Sequence, residues 1–481
     1  MGTILTQGPK LGSTSLLNRF SAALALFAPL CMAQGSAWGQ EPEASPPSLP
    51  GGDTPEEADL PPPDPLQEQI RELSERLKAM EDQQIRKSQS PLSINGYVDF
   101  GFFAPLGNHG VGFQEDIGNL QFPEFRDQYG WTFVGDILAT EVNSRGEVAD
   151  LGTPPGLIRP RFDSIHSGGA PGFVANEVNM RLTYALTDRA ILRSSINFVP
   201  RSGMDFALGD FMDVDIAEVE YVVTDDGNTS VWAGKILPVF GIEYKDRKSD
   251  QRFGVTPSLI QRYTSGPQLG VKVRSKLLND WLIVAGSVTN NSSGTEQFHF
   301  QSEIDRNSGK TLNGRLALSV PIGDFVAALA GHKLELGLSG EWGPQDWATD
   351  NSGKIWFAGV DLQYLSANFM IKAQGIRGGA PGSGLDEVAY HLDLHTSGYV
   401  EVDWQALGFL GFMGRVEQRD AIVSLGANRI YITKGRRVTP GIRVVLSPHI
   451  ILKAEYLWNI EYGRVKSFRN DVFTSSLVLA F

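Results

Sequence analysis

The sequence predicts a transmembrane β-barrel of 16 antiparallel strands, preceded by a short coiled-coil helix. Three observations support this prediction. Apolar and polar residues alternate in segment after segment from residue 92 onward, short turns alternate with long polar loops, and the chain ends on the apolar, aromatic stretch DVFTSSLVLAF. Alternation with period 2 is typical of β-strands whose two faces meet different surroundings. Short turns at one end and long loops at the other are typical of outer-membrane barrels.

The first 39 residues predict a signal peptide. Lys10 and Arg19 precede the apolar run FSAALALFAPLCMA, and a plausible cleavage site lies just before Gln40. A short membrane anchor is the alternative. The only cysteine, Cys31, lies in this segment, so we expect no disulfide and no cysteine metal site in the mature chain. The formal net charge of −13 argues against a nucleic-acid partner, which requires a basic face.

Two further segments precede the predicted barrel. Residues 40–65 are rich in proline and acidic residues, which predicts an extended linker without a core. Residues 66–88 carry apolar side chains at heptad spacing, which predicts a periplasmic coiled coil: Leu66, Ile70, Leu73, Leu77 and Met80. About three heptads are marginal alone, so we expect the barrel to hold several copies together. A single solvated helix is the alternative.

Residues 92–481 form the predicted barrel. The expected strands are 93–103, 175–187, 190–199, 212–224, 229–240, 266–276, 281–290, 310–321, 333–342, 354–365, 368–378, 389–404, 408–418, 436–447, 449–460 and 472–481. The count is even, and both ends of the barrel segment fall on the short-turn side, as such barrels require. Residues 129–142 also resemble a strand, and residues 104–174 are long for a loop, so 18 strands is the alternative count. Residues 418–435 are expected to form one of the long loops.

The alternation by itself does not distinguish a membrane barrel from a soluble β-sandwich or a lipocalin-like fold. In residues 268–274, for example, Leu269, Val271 and Val273 alternate with polar residues. A soluble fold would turn this apolar face inward, whereas a membrane barrel turns it outward to lipid. The export signal, the unequal loops and the terminal Phe481 favour the membrane barrel.

A barrel of 16 strands is wide enough for a water-filled lumen, so the polar face of each strand is expected to point inward. Arginine or lysine facing lipid near the bilayer midplane would cost about 2–4 kcal/mol each. The predicted pore-lining residues are Arg181, Arg193, Lys235, Lys272, Arg274, Arg315, Lys372, Asp393, Glu401, Asp403, Arg415, Glu417, Arg443, Lys453 and Glu455. Over the inward rows as a whole, acidic and basic side chains are roughly matched.

Residues 241–265 are the candidate loop that narrows the lumen. This segment contains Glu243, Asp246 and Asp250 and the pore-constriction candidates Lys245, Arg247, Lys248, Arg252 and Arg262. The local excess of positive charge would favour anions in a pore. Neutralising the three arginines together with Lys248 is therefore expected to shift selectivity towards cations. A hydrated surface loop is the alternative.

Several segments resemble the phosphate-selective porin O and P family. The resemblance is carried by GKILPVFGIEY (Gly234 to Tyr244), the loop after it, GPQLGVKVRSKLLNDWLIVAGSVTNN and GRLALSVP. The heptad segment and the final VTPGIRVVLSPHIILKAEY are also similar to those of many members. The resemblance implies a homotrimeric outer-membrane channel of 16 strands per chain whose pore is narrowed by the loop after the motif. Phosphate-selective members carry a ladder of arginines and a lysine cluster. The final Phe481 resembles the signal by which the barrel-assembly machinery recognises such barrels for insertion.

Two functional classes are open from the sequence. The first is a passive diffusion channel for small hydrophilic solutes, with anions such as phosphate among them. The second is a structural or adhesive barrel whose lumen is closed by residues 104–174. His391, Asp393 and His395 alternate at a spacing that could ligate a metal, although a polar lumen stripe has the same spacing. No nucleophile motif stands out, so we expect no enzyme activity, no cofactor and no metal.

Overall fold

The computed structural model describes residues 91–105, 113–115, 130–132, 151–152, 161–162, 172–198, 212–294, 307–344, 354–380, 390–425, 428–461 and 471–481. The chain separates into two units, Met1–Pro63 and Asp64–Phe481. The predicted signal peptide, linker and coiled-coil helix lie outside the described residues, as does most of 104–174. Among the described residues, no helix is long and apolar enough to cross a membrane.

Twenty strands follow one another along the described chain. They are β1 (Leu92–Pro105), β2 (Phe113–Glu115), β3 (Gly130–Thr132), β4 (Leu151–Gly152), β5 (Arg161–Phe162), β6 (Gly172–Ala185), β7 (Ala190–Phe198), β8 (Met212–Val222), β9 (Thr229–Ile236), β10 (Gln268–Leu277), β11 (Leu282–Thr289), β12 (Thr311–Pro321), β13 (Lys333–Pro344), β14 (Lys354–Leu365), β15 (Phe369–Ala380), β16 (Tyr390–Leu407), β17 (Leu410–Leu425), β18 (Asn428–Ser447), β19 (Ile450–Glu461) and β20 (Val472–Ala480). Short helical turns occur at Glu243–Asp246, Gln261–Thr264, Ile322–Asp324 and Ala327–Leu329.

β1 and β6 to β20 form a closed antiparallel barrel of 16 strands, which β1 completes by pairing with both β6 and β20. Each of the 16 predicted strands coincides with one of these strands. The alternative count of 18 is wrong, because the closed ring contains 16 strands. Within 129–142, the described residues form only β3, which pairs with β2 outside the barrel.

The expected long loop at 418–435 is also wrong. β17 and β18 continue through this segment, and their ladder runs from Gln418 opposite Arg436 to Leu425 opposite Asn428. The segment is rich in isoleucine, valine and threonine, and these β-branched residues favour strands. Its charged residues had indicated a loop, but a strand that continues beyond its neighbours can carry charges on both faces.

The barrel exposes its apolar row and buries its polar row. On β12, Leu312 and Leu316 are 49% and 47% exposed, whereas the intervening Asn313 and Arg315 are 6% and 7% exposed. β13 shows the same alternation, with Leu338 exposed and Glu335 buried. A soluble barrel would bury the leucines and expose the charges. The outer surface of this barrel is therefore the surface that meets lipid, and the charged side chains of β12 and β13 named above lie in the lumen.

The terminal strand closes the barrel with its last residue. The amide and carbonyl of Phe481 pair with those of Gly96 at 2.9 and 3.0 Å, and the Phe481 side chain is exposed on the outside. Val478, which interrupts the alternation in the sequence, faces inward and packs with Tyr97 and Ile451. The expectation that the apolar row of this strand points outward is confirmed for Leu479 and Phe481, which are both exposed.

Replacing Gly96 with valine is expected to destabilise this closure. A Cβ atom at Gly96 would lie 2.2 Å from the carbonyl oxygen of Asn179 and 2.8 Å from the Phe481 ring. Overpacking of this kind typically costs about 1–3 kcal/mol. The folded band on heat-modifiable gels should disappear at a lower temperature than in the unsubstituted protein. In the control G314V, the added Cβ meets no atom within 4 Å. Equal transition temperatures for the two variants would contradict the prediction.

Candidate constriction of the barrel lumen

Residues 237–267 connect β9 to β10 and fold into the lumen; we call this segment the inserted loop. Its turn into the barrel begins at Gly241, whose φ of +67° disfavours other residues. A Cβ atom there would lie 2.2 Å from the side-chain nitrogen of Gln374. The Gly241 amide donates to the hydroxyl of Ser339 at 3.0 Å, and the Ile242 amide donates to the side-chain oxygen (Oε1) of Gln374 at 3.0 Å. Gly241, within the segment GKILPVFGIEY, therefore directs the chain inward.

Two charged side chains of β19 bind the main chain of the inserted loop. Glu455 accepts hydrogen bonds from the amides of Val255 at 2.6 Å and Thr256 at 3.0 Å. Lys453 donates to the carbonyl of Gly254 at 3.1 Å and also to the carbonyls of Ser249 and Arg252. Buried backbone groups need hydrogen-bond partners, and these side chains provide them where the loop has no regular structure of its own.

β17 and β18 hold the next part of the loop in the same way. Arg415 donates to the Thr256 carbonyl at 2.9 Å, and Arg437 donates to the Pro257 carbonyl at 2.8 Å. Glu417 accepts from the Leu259 amide at 2.6 Å. The two arginines and Glu417 are almost fully buried, so in this arrangement they position the loop.

Ion pairs fix the charged side chains of the inserted loop to the wall. Arg247 pairs with Asp215 of β8, and Lys248 lies 3.1 Å from the same carboxylate. Lys248 also pairs with Glu177 of β6 at 2.9 Å. The acidic residues of the loop pair with wall cations: Asp250 with Arg181 at 2.6 Å and Asp246 with Lys372 at 2.8 Å. These pairs reach both sides of the barrel.

The wall itself carries two clusters of paired opposite charges. Arg415 lies 3.0 Å from Glu401 and 3.2 Å from Glu417. Lys372 pairs with Glu401 and lies 3.4 Å from Asp403. Arg315 pairs with Glu335 at 3.1 Å and with Asp361. Since each cation faces carboxylates, these clusters stiffen the wall without creating a large field of one sign.

An apolar cluster fills the lumen between the inserted loop and β14 to β16. Phe240, Ile260 and Tyr263 of the loop are completely buried. The Tyr263 ring packs on Phe357 of β14, with 5.8 Å between ring centroids. Ile376 of β15 is buried on the same wall. This side of the lumen is therefore packed like a protein core.

Glu243 closes the inserted loop on itself. Its carboxylate accepts hydrogen bonds from the amide of Ser258 at 2.9 Å and from its hydroxyl at 2.6 Å. Burial raises the pKa of Glu243 to about 7, while the bonds from Ser258 and the charge of Arg415 oppose the shift. The contact between Glu243 and Ser258 joins the first part of the inserted loop to its second half.

Four of the five predicted constriction residues lie inside the barrel and have partners there: Lys245, Arg247, Lys248 and Arg252. Arg247 and Lys248 pair with wall carboxylates, as described above. Arg252 donates to the carbonyl of Val255 at 2.6 Å, and Lys245 lies 3.6 Å from Glu335. The side chain of Arg262 lies outside the described residues.

Most of the predicted pore-lining residues belong to the inward row of their strand. By register and burial these are Arg181, Arg193, Lys272, Arg274, Arg315, Lys372, Glu401, Asp403, Arg415, Glu417, Arg443, Lys453 and Glu455. The inserted loop covers part of this row and leaves another part exposed.

Lys235 and Asp393 depart from the prediction. Lys235 pairs with Leu269 and Ala217, whose side chains belong to the exposed outer row. Asp393 is exposed and pairs with Gly379, while its neighbour Leu394 is buried in the inward row. A bulge between Leu394 and Gly398 shifts the register, and an extra residue reverses which side chains face inward.

The sequence prediction missed several lumen residues of β8, β9 and β17. They are Asp215, Glu218, Glu220, Trp232 and Arg419, all in the inward row. A bulge in the pairing of β7 with β8 changes the alternation of β8 between Asp215 and Glu218. The acidic pattern DVDIAEVE was the available signal. Because of the bulge, however, the inward face passes from odd to even positions within this strand.

No protein-family model and no curated protein matches the chain. Among solved structures, the outer-membrane channel DcaP of Acinetobacter baumannii is 12% identical, covers 81% of this chain and 97% of its own, and gives a TM-score of 0.47. OmpT of Vibrio cholerae, folded in vitro, is 11% identical, covers 81% and 97%, and gives 0.45. An anion-selective porin from Comamonas acidovorans is 10% identical, covers 81% and 99%, and gives 0.43.

The location follows from the architecture of the chain itself. A closed, even-numbered antiparallel barrel with an apolar outer surface and a charged lumen is the architecture of bacterial outer-membrane proteins. This chain has all of these features. It is an outer-membrane β-barrel.

Proposed function

We propose that the protein is an outer-membrane porin that allows passive diffusion of small hydrophilic solutes. The observation that carries this proposal is the inserted loop, held inside a barrel of 16 strands by buried polar contacts. A barrel of this size is wide enough for an aqueous channel, and a loop fixed across the lumen limits the size of the solutes that pass. The described residues of the lumen supply charged groups on several strands.

The homotrimer and the preference for anions such as phosphate are finer parts of this proposal. The predicted coiled coil at residues 66–88 supports a trimer. The loop segment 241–265 supports anions, since it holds five cations and three carboxylates: Lys245, Arg247, Lys248, Arg252, Arg262, Glu243, Asp246 and Asp250. The balanced wall charges limit how strong that preference can be. The other proposed partners are the lipid around the barrel and the barrel-assembly machinery, which would recognise Phe481.

One observation favours a second candidate, a structural barrel with a closed lumen. The inserted loop contacts β6 and β8 on one side of the barrel and β13 and β15 on the opposite side. A loop fixed on both sides could obstruct the lumen. In this case the barrel would serve as a membrane anchor or an adhesive surface and would pass no solute.

Single-channel recording in a planar bilayer under a KCl gradient separates these candidates. A porin is expected to give discrete current steps, in multiples of three for a trimer, and the sign of the reversal potential reports the preferred ion. Protein that is folded by the heat-modifiable gel criterion but gives no current would favour the closed barrel. A cation-selective reversal potential would contradict the anion preference and leave the channel intact.

A further inference from the structure

We infer that the aqueous passage runs along the inner wall formed by β7 to β10, where solutes contact Arg193 and Arg274. This inference rests on the proposed porin function and goes beyond it, because it locates the passage and the side chains that face it. It also separates two groups of lumen cations, one that holds the inserted loop and one that faces the passage.

Residues at the same position along their strands differ in exposure between the two sides of the lumen. Arg193 and Lys453 are each the fourth residue from the short-turn end, on β7 and β19. The side chain of Arg193 is 36% exposed, whereas Lys453 is 2% exposed beneath the carbonyls of the inserted loop. At equivalent positions the lumen is therefore filled on the β19 side and open on the β7 side.

The same contrast holds for a second pair of strands. Arg274 is the fourth residue from the short-turn end of β10 and is exposed. Lys372 is the fourth residue of β15 and is 3% exposed, covered by Asp246 of the loop. The opposite neighbour of Arg274 on β11 is Ala285, a small side chain that leaves space beside the guanidinium.

Neighbouring side chains hold Arg274 and Arg193 in position while part of each side chain stays exposed. The Arg274 guanidinium carbon lies 5.1 Å from the centre of the Trp232 ring. The half-buried Lys272 lies 4.8 Å from the same ring and donates to the Leu237 carbonyl of the inserted loop. Cation–π contacts fix the position of a charge and leave its outer side open to a solute. Arg193 pairs with Glu220 on the neighbouring strand and retains much of its exposure. This wall therefore presents positioned cations to water.

The opposite side of the lumen is tightly packed. The apolar cluster around Phe240, Tyr263 and Phe357 is completely buried or nearly so. The hydrogen bonds from Arg415 and Arg437 to the loop backbone close the adjoining wall. A hydrated solute cannot pass through this packed region without displacing the loop.

Cysteine labelling tests the location of the passage. The chain contains one cysteine, Cys31, which falls in the predicted signal peptide. R193C and R274C are treated with a negatively charged methanethiosulfonate reagent during bilayer recording. T439C is the matched control, because Thr439 lies opposite the inward-facing Arg415, in the inward row of β18, and is completely buried. Labelling of each folded variant is measured in parallel by mass spectrometry.

We expect rapid labelling at positions 193 and 274, with loss of roughly half or more of the current, and no labelling or current change at 439. Labelling and current loss at 439 but not at 193 or 274 would overturn the inference. Labelling at 193 and 274 without any current change would also overturn it, because solutes would then pass elsewhere. If the unsubstituted protein gives no current, the porin proposal fails, while the labelling rates still show which wall water reaches.

Discussion

Replacing Lys453 with methionine is expected to release the inserted loop and raise the single-channel conductance. Methionine keeps a long, unbranched side chain but cannot donate to the three loop carbonyls that Lys453 binds, those of Ser249, Arg252 and Gly254. Hydrogen bonds from charged groups contribute about 1.5–3 kcal/mol each. A net loss of about 3 kcal/mol would shift the ratio of docked to undocked loop by roughly 100-fold.

The recording should show larger and noisier current steps for K453M than for the unsubstituted protein. K276M is the control, because Lys276 is exposed near the short turn and pairs with Asp280 on its own hairpin. E455Q is expected to have a smaller effect, since glutamine retains one acceptor oxygen for the Val255 or Thr256 amide. Folded K453M protein with unchanged conductance and noise would show that Lys453 is not needed to hold the loop.

The barrel could be predicted from the sequence because its rules are local. A strand with one apolar face can be predicted from the alternation of apolar and polar residues along it. A short turn can be predicted from the residues that form it, as in the hairpin before Arg193. The count of 16 strands and the terminal strand at 472–481 followed from these patterns. The extension of β17 and β18 through 418–435 was missed, because charged residues within a strand resemble a loop when only local composition is considered.

The lumen could be predicted only in part. Which side chains face inward depends on their odd or even position along each strand, and their partners are distant in sequence. The odd or even position of a residue predicts its face only as far as the next bulge. The bulge before Gly398 placed Asp393 outside the inward row. The partners of the inserted loop are more than 150 residues away for contacts such as Arg415 with Thr256. No local signal shows that Lys453 binds backbone carbonyls whereas Arg274 remains exposed.

Neutralising Arg247, Lys248, Arg252 and Arg262 together with glutamine is expected to move the reversal potential towards cation selectivity. The sequence supports this expectation through the excess of cations in the loop, and the structure supplies a different mechanism. Arg247 and Lys248 are the partners of Asp215, and Lys248 also pairs with Glu177. Once these cations are removed, the wall carboxylates are no longer compensated and attract cations into the lumen.

The same substitutions weaken the attachment of the loop, because removing one partner of a buried pair costs about 3–5 kcal/mol. Charge and loop position are separated by adding D215N and E177Q to the four substitutions. The weakened attachment is expected to raise the conductance of the fourfold variant. If the uncompensated carboxylates cause the shift, adding D215N and E177Q should return the reversal potential towards that of the unsubstituted protein and leave the conductance raised. If the reversal potential of the fourfold variant is unchanged, then neither the loop cations nor Asp215 and Glu177 face the ion path. Arg193 and Arg274 would then remain as the charges that set selectivity, and their joint replacement with glutamine should produce the shift that the loop variant did not.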